Sequence, residues 1–164
     1  MNYISNSSPL IAFIKKRELN LLKELFDQIF IPEAVYDELF ASNEYIEQKR
    51  NLKKAIKDGW IIVKRLKNFK IGDLNLGDGE NEAINLCLEI NNSVLLIDEK
   101  KGRLIAKTFN IKTLGTLGIL FLSQKKGLKK KDALLKNLDK LIKQNFYLSS
   151  EVILSFLKKL GSSS

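Results

Sequence analysis

The chain has no histidine, one cysteine and two prolines in 164 residues. Without histidine there can be no Ser-His-Asp triad, no imidazole ligand for zinc and no histidine general base. The lone thiol, Cys87, excludes an internal disulfide and a four-thiolate zinc site, and a reducing cytoplasm is the expected location. No stretch approaches the ~18 uninterrupted apolar residues that span a bilayer, so no membrane partner is expected. Acid is also scarce where base is abundant. Residues 100–164 hold 15 basic and 3 acidic groups, whereas residues 1–99 hold 13 and 16. The chemistry left to this sequence runs on carboxylates, amides, hydroxyls, lysines or a hard cation held by oxygens.

What is present fits one ordinary domain. The apolar fraction is 45% and the charged fraction 29%, values that suit a packed core and argue against disorder. The net charge of +9, concentrated in the second half, suits a polyanion such as nucleic acid. A lysine-rich composition also yields solvated basic faces on any protein, and composition alone does not choose between the two.

Short apolar runs alternate with longer stretches of helical period. Strands are expected at 3–5, 28–31, 60–63, 93–97 and 112–114. Helices are expected from the Ser7-Ser8-Pro9 cap, over 19–26, after Pro32, over 44–57, over 78–90, up to Phe109, over 116–124, and over about 130–144 and 149–160. Strands separated by helices indicate an α/β fold with a mainly parallel sheet. Residues 1–160 read as a single domain, of which about 125–160 is a helical, Lys-rich tail, and 161–164 read as a flexible, low-complexity terminus.

The acids mark the expected site. Asp98 and Glu99 follow the all-apolar strand Val94-Leu95-Leu96-Ile97, and Asn6 follows the first strand in the same way. Ligands of open α/β sheets bind outside the carboxyl ends of the strands. Glu80 and Glu82 open a helix after the loop Gly77-Asp78-Gly79, and Asp37 and Glu38 lie on the helix after Pro32. Each position also has a plainer role: Asp78 and Asp98 as helix caps, Glu80 as a complement to a helix dipole, Asp37 and Glu38 as solvated surface. The Gly77/Gly79 pair lacks the Lys-Ser/Thr ending of a phosphate loop. Carboxylates gathered from three segments on one rim would repel one another unless a hard cation such as Mg²⁺ or Mn²⁺ joined them. Such a cation can orient water and stabilise charge on a phosphoryl oxygen.

These residues carry a resemblance. Ile4-Ser5-Asn6-Ser7-Ser8-Pro9-Leu10-Ile11, Ile31-Pro32-Glu33-Ala34-Val35-Tyr36-Asp37-Glu38-Leu39, Gly77-Asp78-Gly79-Glu80-Asn81-Glu82-Ala83-Ile84, Leu95 to Arg103 and Thr113 to Gly118 occur in the order found in the PIN-domain superfamily. The sequence most closely resembles a subgroup of small prokaryotic PIN-like, VapC-type proteins. The resemblance implies a three-layer α/β sandwich with a mainly parallel central sheet. It also implies a Mg²⁺- or Mn²⁺-dependent endoribonuclease of the kind that serves as the toxin of a toxin–antitoxin pair, with RNA as substrate, an antitoxin protein as partner and homodimerisation as a common state. Carried over by position, the catalytic set is Asn6, Glu38, Glu82 and Asp98, and the metal set adds Glu80 and Glu99. Ser8 matches a small hydroxyl residue of the first turn. Lys100, Lys101, Arg103, Lys125, Lys126, Lys129 and Lys130 are expected to form a positive, nucleic-acid-binding surface bordering the acids.

The sequence departs from the family pattern at Asn6, where an aspartate is usual. An amide oxygen can ligate a hard cation but brings no charge. The alternative implied is a PIN-like RNA-binding or regulatory protein with weak or no catalysis.

Overall fold

Five short strands pair in parallel: β1 (Asn2–Ser5), β2 (Ile29–Pro32), β3 (Ile61–Lys64), β4 (Ser93–Leu96) and β5 (Lys112–Leu114), in the order β3-β2-β1-β4-β5. The structure, a computed structural model, describes residues 1–41 and 46–162. Parallel pairing requires long crossovers, and helices supply them. They are α1 (Ser7–Lys15), α2 (Leu19–Phe26), α3 (Glu33–Ala41), α4 (Ile46–Lys57), α5 (Asp78–Glu89) and α6 (Lys100–Thr108). The part of the expected helix at 44–45 lies outside the described residues, as do residues 163–164 of the expected flexible terminus.

The pleat separates two faces. Ile4, Leu95 and Ile97 pack with Ala83, Ile84, Leu86 and Cys87 of α5 and Ala106 of α6 in one buried cluster. Tyr3, one residue from Ile4, stacks instead on Phe26 of α2, with ring centroids 4.3 Å apart. Helices therefore cover both faces, and each fully buried Ile or Leu contributes ~1.5–3 kcal/mol. The sheet is wholly parallel rather than mainly so.

Boundaries moved by a residue where pairing overrode pattern. Ile29 pairs with Ile61 and Pro32 with Lys64, so β2 and β3 each begin and end one residue later than the apolar runs suggest. Helix α1 is capped by Asn6, not by the serines: its side-chain oxygen accepts from Ser7 N at 2.7 Å. Pro9 sits in the first turn, where its missing N–H lacks no intrahelical partner.

The chain divides into two compact units, Met1–Leu114 and Gly115–Ser164. The second comprises α7 (Thr116–Lys125), α8 (Lys131–Lys143) and α9 (Ser150–Gly161). In it α7 packs against both α8 and α9, and Leu120, Leu134, Leu141, Phe156 and Leu160 are buried. Ser149 caps α9 by accepting from Val152 N. Among the described residues no helix is long and apolar enough to cross a membrane.

Candidate active site

Strand order reverses at β1. Its neighbours are β2, which leads outward to β3, and β4, which leads outward to β5. The carboxyl ends of β1 and β4 thus diverge over a crevice, the usual ligand position in such sheets. Asn6 N donates to Leu96 O at 2.9 Å, so the residues that follow the two strands start side by side. Asn6 lies on one rim, Asp98 and Glu99 on the other.

Three carboxylates converge here, each oriented by named donors. Glu38 of α3 accepts from Ser7 Oγ at 2.7 Å and from Gly79 N at 2.9 Å. Glu99 accepts from Ser8 Oγ and from Asn6 Nδ2, the latter at 3.3 Å. Glu80 Oε2 accepts from Gly77 N at 3.3 Å, while its Oε1 is buried without a hydrogen-bond partner. Burial pushes the Glu80 carboxyl above its ordinary pKa; the Gly77 N–H opposes this, the charges of Glu99 and Glu38 add to it, and Lys101 opposes it. The site is therefore electronegative and shielded from water at one oxygen.

Two glycines leave room for this crowding. A β-carbon on Gly79 would stand 2.5 Å from Glu38 Oε1, and one on Gly102 would stand 2.8 Å from Glu80 Oε1. Backbone can approach a carboxylate this closely only where no side chain intervenes.

Asn6, Ser8, Glu38, Glu80 and Glu99 share one hydrogen-bonded and electrostatic cluster. Glu82 is half-buried on α5 and accepts from Ala34 N at 3.0 Å, in the first turn of α3. Asp98 is half-buried in the β4–α6 connection. Asp37 is exposed on α3. Lys101 Nζ donates to Asn75 O and lies close enough to act on Glu80. Lys100 and Arg103 stand on α6. In the helical unit, Lys125 lies over the Phe121 ring, while Lys126, Lys129 and Lys130 follow just beyond α7. Ser7 and Gly79, named in the sequence only as part of a helix cap and of a glycine loop, orient Glu38. The signal for both was their place beside Asn6 and Glu80 in a first helical turn.

The donor set fits a hard cation: oxygens only, with a buried acceptor lacking a partner at Glu80 Oε1. Among the described residues, no three carboxylates are gathered tightly enough to grip an ion as they stand. The amide of Asn6 and the serine hydroxyls hold the acids instead.

No curated protein matches the chain. A PilT N-terminus domain protein from the hyperthermophilic archaeon Sulfolobus solfataricus P2 has a similar solved structure. Its TM-score is 0.55, over 75% of this chain and 93% of that one, at 18% identity, a likeness of fold alone. The family described as DUF3368, PIN domain, matches residues 2–162. With a family match running almost end to end, the chain belongs to the PIN-domain family.

Proposed function

We propose that the protein is a divalent-cation-dependent endoribonuclease. The observation that carries this reading is the buried, partnerless Glu80 Oε1 beside the charges of Glu38 and Glu99, at the reversal point of the sheet. Glu38, Glu80 and Glu99 would hold Mg²⁺ or Mn²⁺, with Asp98 at the same rim and the Asn6 amide as a neutral neighbour. Bound there, the cation supplies electrostatic stabilisation of charge on phosphoryl oxygens and polarises water. Ser7 and the Gly79 N–H fix the angle of Glu38; Ser8 and Asn6 fix that of Glu99. Left uncompensated, the three acids repel a phosphodiester, so the chain's own residues make RNA binding at this rim depend on added positive charge.

A second reading is favoured by the Asn6 amide, whose Nδ2 donates to Glu99 while its Oδ1 accepts from Ser7 N. It makes the protein an RNA-binding member of the family with weak or no turnover. One experiment separates the two: cleavage of single-stranded RNA by the parent, Glu38→Gln and Glu80→Gln, with Mn²⁺ or with chelator. The nuclease reading expects cleavage only with Mn²⁺, lowered at least ~100-fold by either substitution. Cleavage that survives chelator and both substitutions sinks this site. RNA binding without cleavage under every condition supports the second reading.

The resemblance to toxin modules supports a narrower role, growth arrest relieved by a protein antitoxin. Induced expression should arrest growth with the parent and not with Glu80→Gln. Equal arrest by both would remove that role.

A further inference from the structure

Beyond the acids, the unit that holds the sheet carries a cavity of about 550 Å³ between α6 and β5. Lys100, Arg103 and Lys107 line it from α6, and Lys112 from the edge strand β5. The α6 residues recur at i, i+3 and i+7, which places them along one stripe of the helix. No acid lines the cavity, and neither α6 nor β5 contains one. Solvated basic helices usually intersperse acids at i+4, because like charges at that spacing destabilise by a few tenths of a kcal/mol each (about 0.2–0.5). Here that repulsion is left standing. None of the four cations has an ion-pair partner among the described residues.

The floor is apolar. Leu104 is 58% exposed and Ile111 lies beside it, with Asn110 and Thr113 offering polar groups at the β5 end. A basic wall and an apolar floor together suit a strand whose bases are unpaired; a duplex keeps its bases inside.

We infer that this groove binds the backbone of single-stranded RNA and feeds it to the acidic rim. The inference rests on the ribonuclease reading for its purpose, and on the groove alone for its chemistry. Glu99, a member of the acidic cluster, is the N-cap of α6, so Lys100 adjoins the rim in the chain. Lys107 stands seven residues further, about 10 Å along the helix. Phosphates held by Lys107, Arg103 and Lys100 in succession lead toward Glu99. Lys101 is turned to Asn75 O instead and stays off this path.

The test is the affinity of a short, labelled, U-rich single-stranded RNA measured by anisotropy across a salt series, with chelator present to prevent cleavage. Lys107→Ala/Lys112→Ala should weaken binding about tenfold and flatten the log–log salt slope by about 1.4, at ~0.7 for each lost phosphate contact. Lys107→Arg/Lys112→Arg should retain both values. Lys54→Ala/Lys57→Ala, which removes equal charge from α4, should change affinity no more than about twofold. A duplex of the same sequence should bind more weakly than the single strand. The groove is overturned if the α6–β5 pair and the α4 pair lose affinity equally, or if the duplex binds as tightly. Because binding is read without cleavage, the two readings fail separately. RNA held through Lys107 and Lys112 but never cut removes the nuclease reading and keeps the groove. RNA cut by a protein indifferent to Lys107 and Lys112 does the reverse.

Discussion

Asn6 Nδ2 donates to Glu99 Oε2 at 3.3 Å, joining residues 93 apart in sequence across the crevice between β1 and β4. The orientation of the amide is set by its other end, since Oδ1 accepts from Ser7 N at 2.7 Å. An asparagine here does locally what a cation would do for an aspartate, presenting positive character to a neighbouring carboxylate. The pair is therefore stable without metal.

Asn6→Asp should reverse that. The new carboxylate can still cap α1, but it loses the donor to Glu99 and sets two acids within contact distance. With chelator the variant should lose about 1–3 kcal/mol of stability. Mn²⁺ should restore most of the loss, with a larger thermal shift than in the parent. Unfolding curves with and without Mn²⁺ check this, and a variant as stable as the parent in chelator would contradict it.

Glu80 and Glu82 should separate by phenotype. Glu82→Ala removes the acceptor for Ala34 N in the first turn of α3 and should cost about 1 kcal/mol, whatever the metal. Glu80→Gln relieves repulsion from Glu99 and Glu38 in a partly solvated site. It should leave chelator-state stability unchanged or raise it by no more than ~0.5 kcal/mol, while erasing the Mn²⁺-induced shift. Loss of that shift in Glu82→Ala but not in Glu80→Gln would exchange their roles.

The two cluster glycines should also differ. Alanine at a helical glycine ordinarily gains up to ~1 kcal/mol. At Gly79 the new β-carbon meets the end of the flexible Glu38 side chain, which can swing away. Stability should hold within about 1 kcal/mol while Mn²⁺ affinity falls. At Gly102 the β-carbon would stand 2.5 Å from Ile97 Cδ1, a buried core atom, so Gly102→Ala should destabilise by about 1–3 kcal/mol. Denaturant midpoints and Mn²⁺ titrations of both variants provide the comparison.

Cys87 sets a pH dependence away from the site. Burial pushes its thiol up to about 12, against the smaller opposing pull of a hydrogen bond with Ser93. Between the unfolded thiol's pKa near 9 and that value, the unfolded chain releases a proton that the folded chain keeps. The unfolded state then binds fewer protons, and stability falls as pH rises, by at most ~1.4 kcal/mol per pH unit. Cys87→Ala should lose less stability than the parent between pH ~9 and ~11. Parallel stability–pH curves for the two proteins would refute this.

Much of this protein follows from local pattern. Continuous apolar runs located the strands, because helices cover both faces of this parallel sheet, and period-3.6 stripes located the helices, which bury one face each. Acids after apolar strand ends located the rim, since strand termini in a parallel sheet share one edge. Tertiary structure decided the rest. Residues 80 and 82 are about 200° apart around a helix, so they meet different neighbours. The packing of Ala83, Ile84 and Cys87 on the sheet turned α5 so that Glu80 lies beside Glu38 and Glu99 while Glu82 reaches Ala34 of α3. The strand order β2-β1-β4 brought Asn6 to Glu99, a contact no local pattern contains. Charge asymmetry was countable in the sequence, but only the packing of α6 beside β5 shows that Lys107 and Lys112 line one groove.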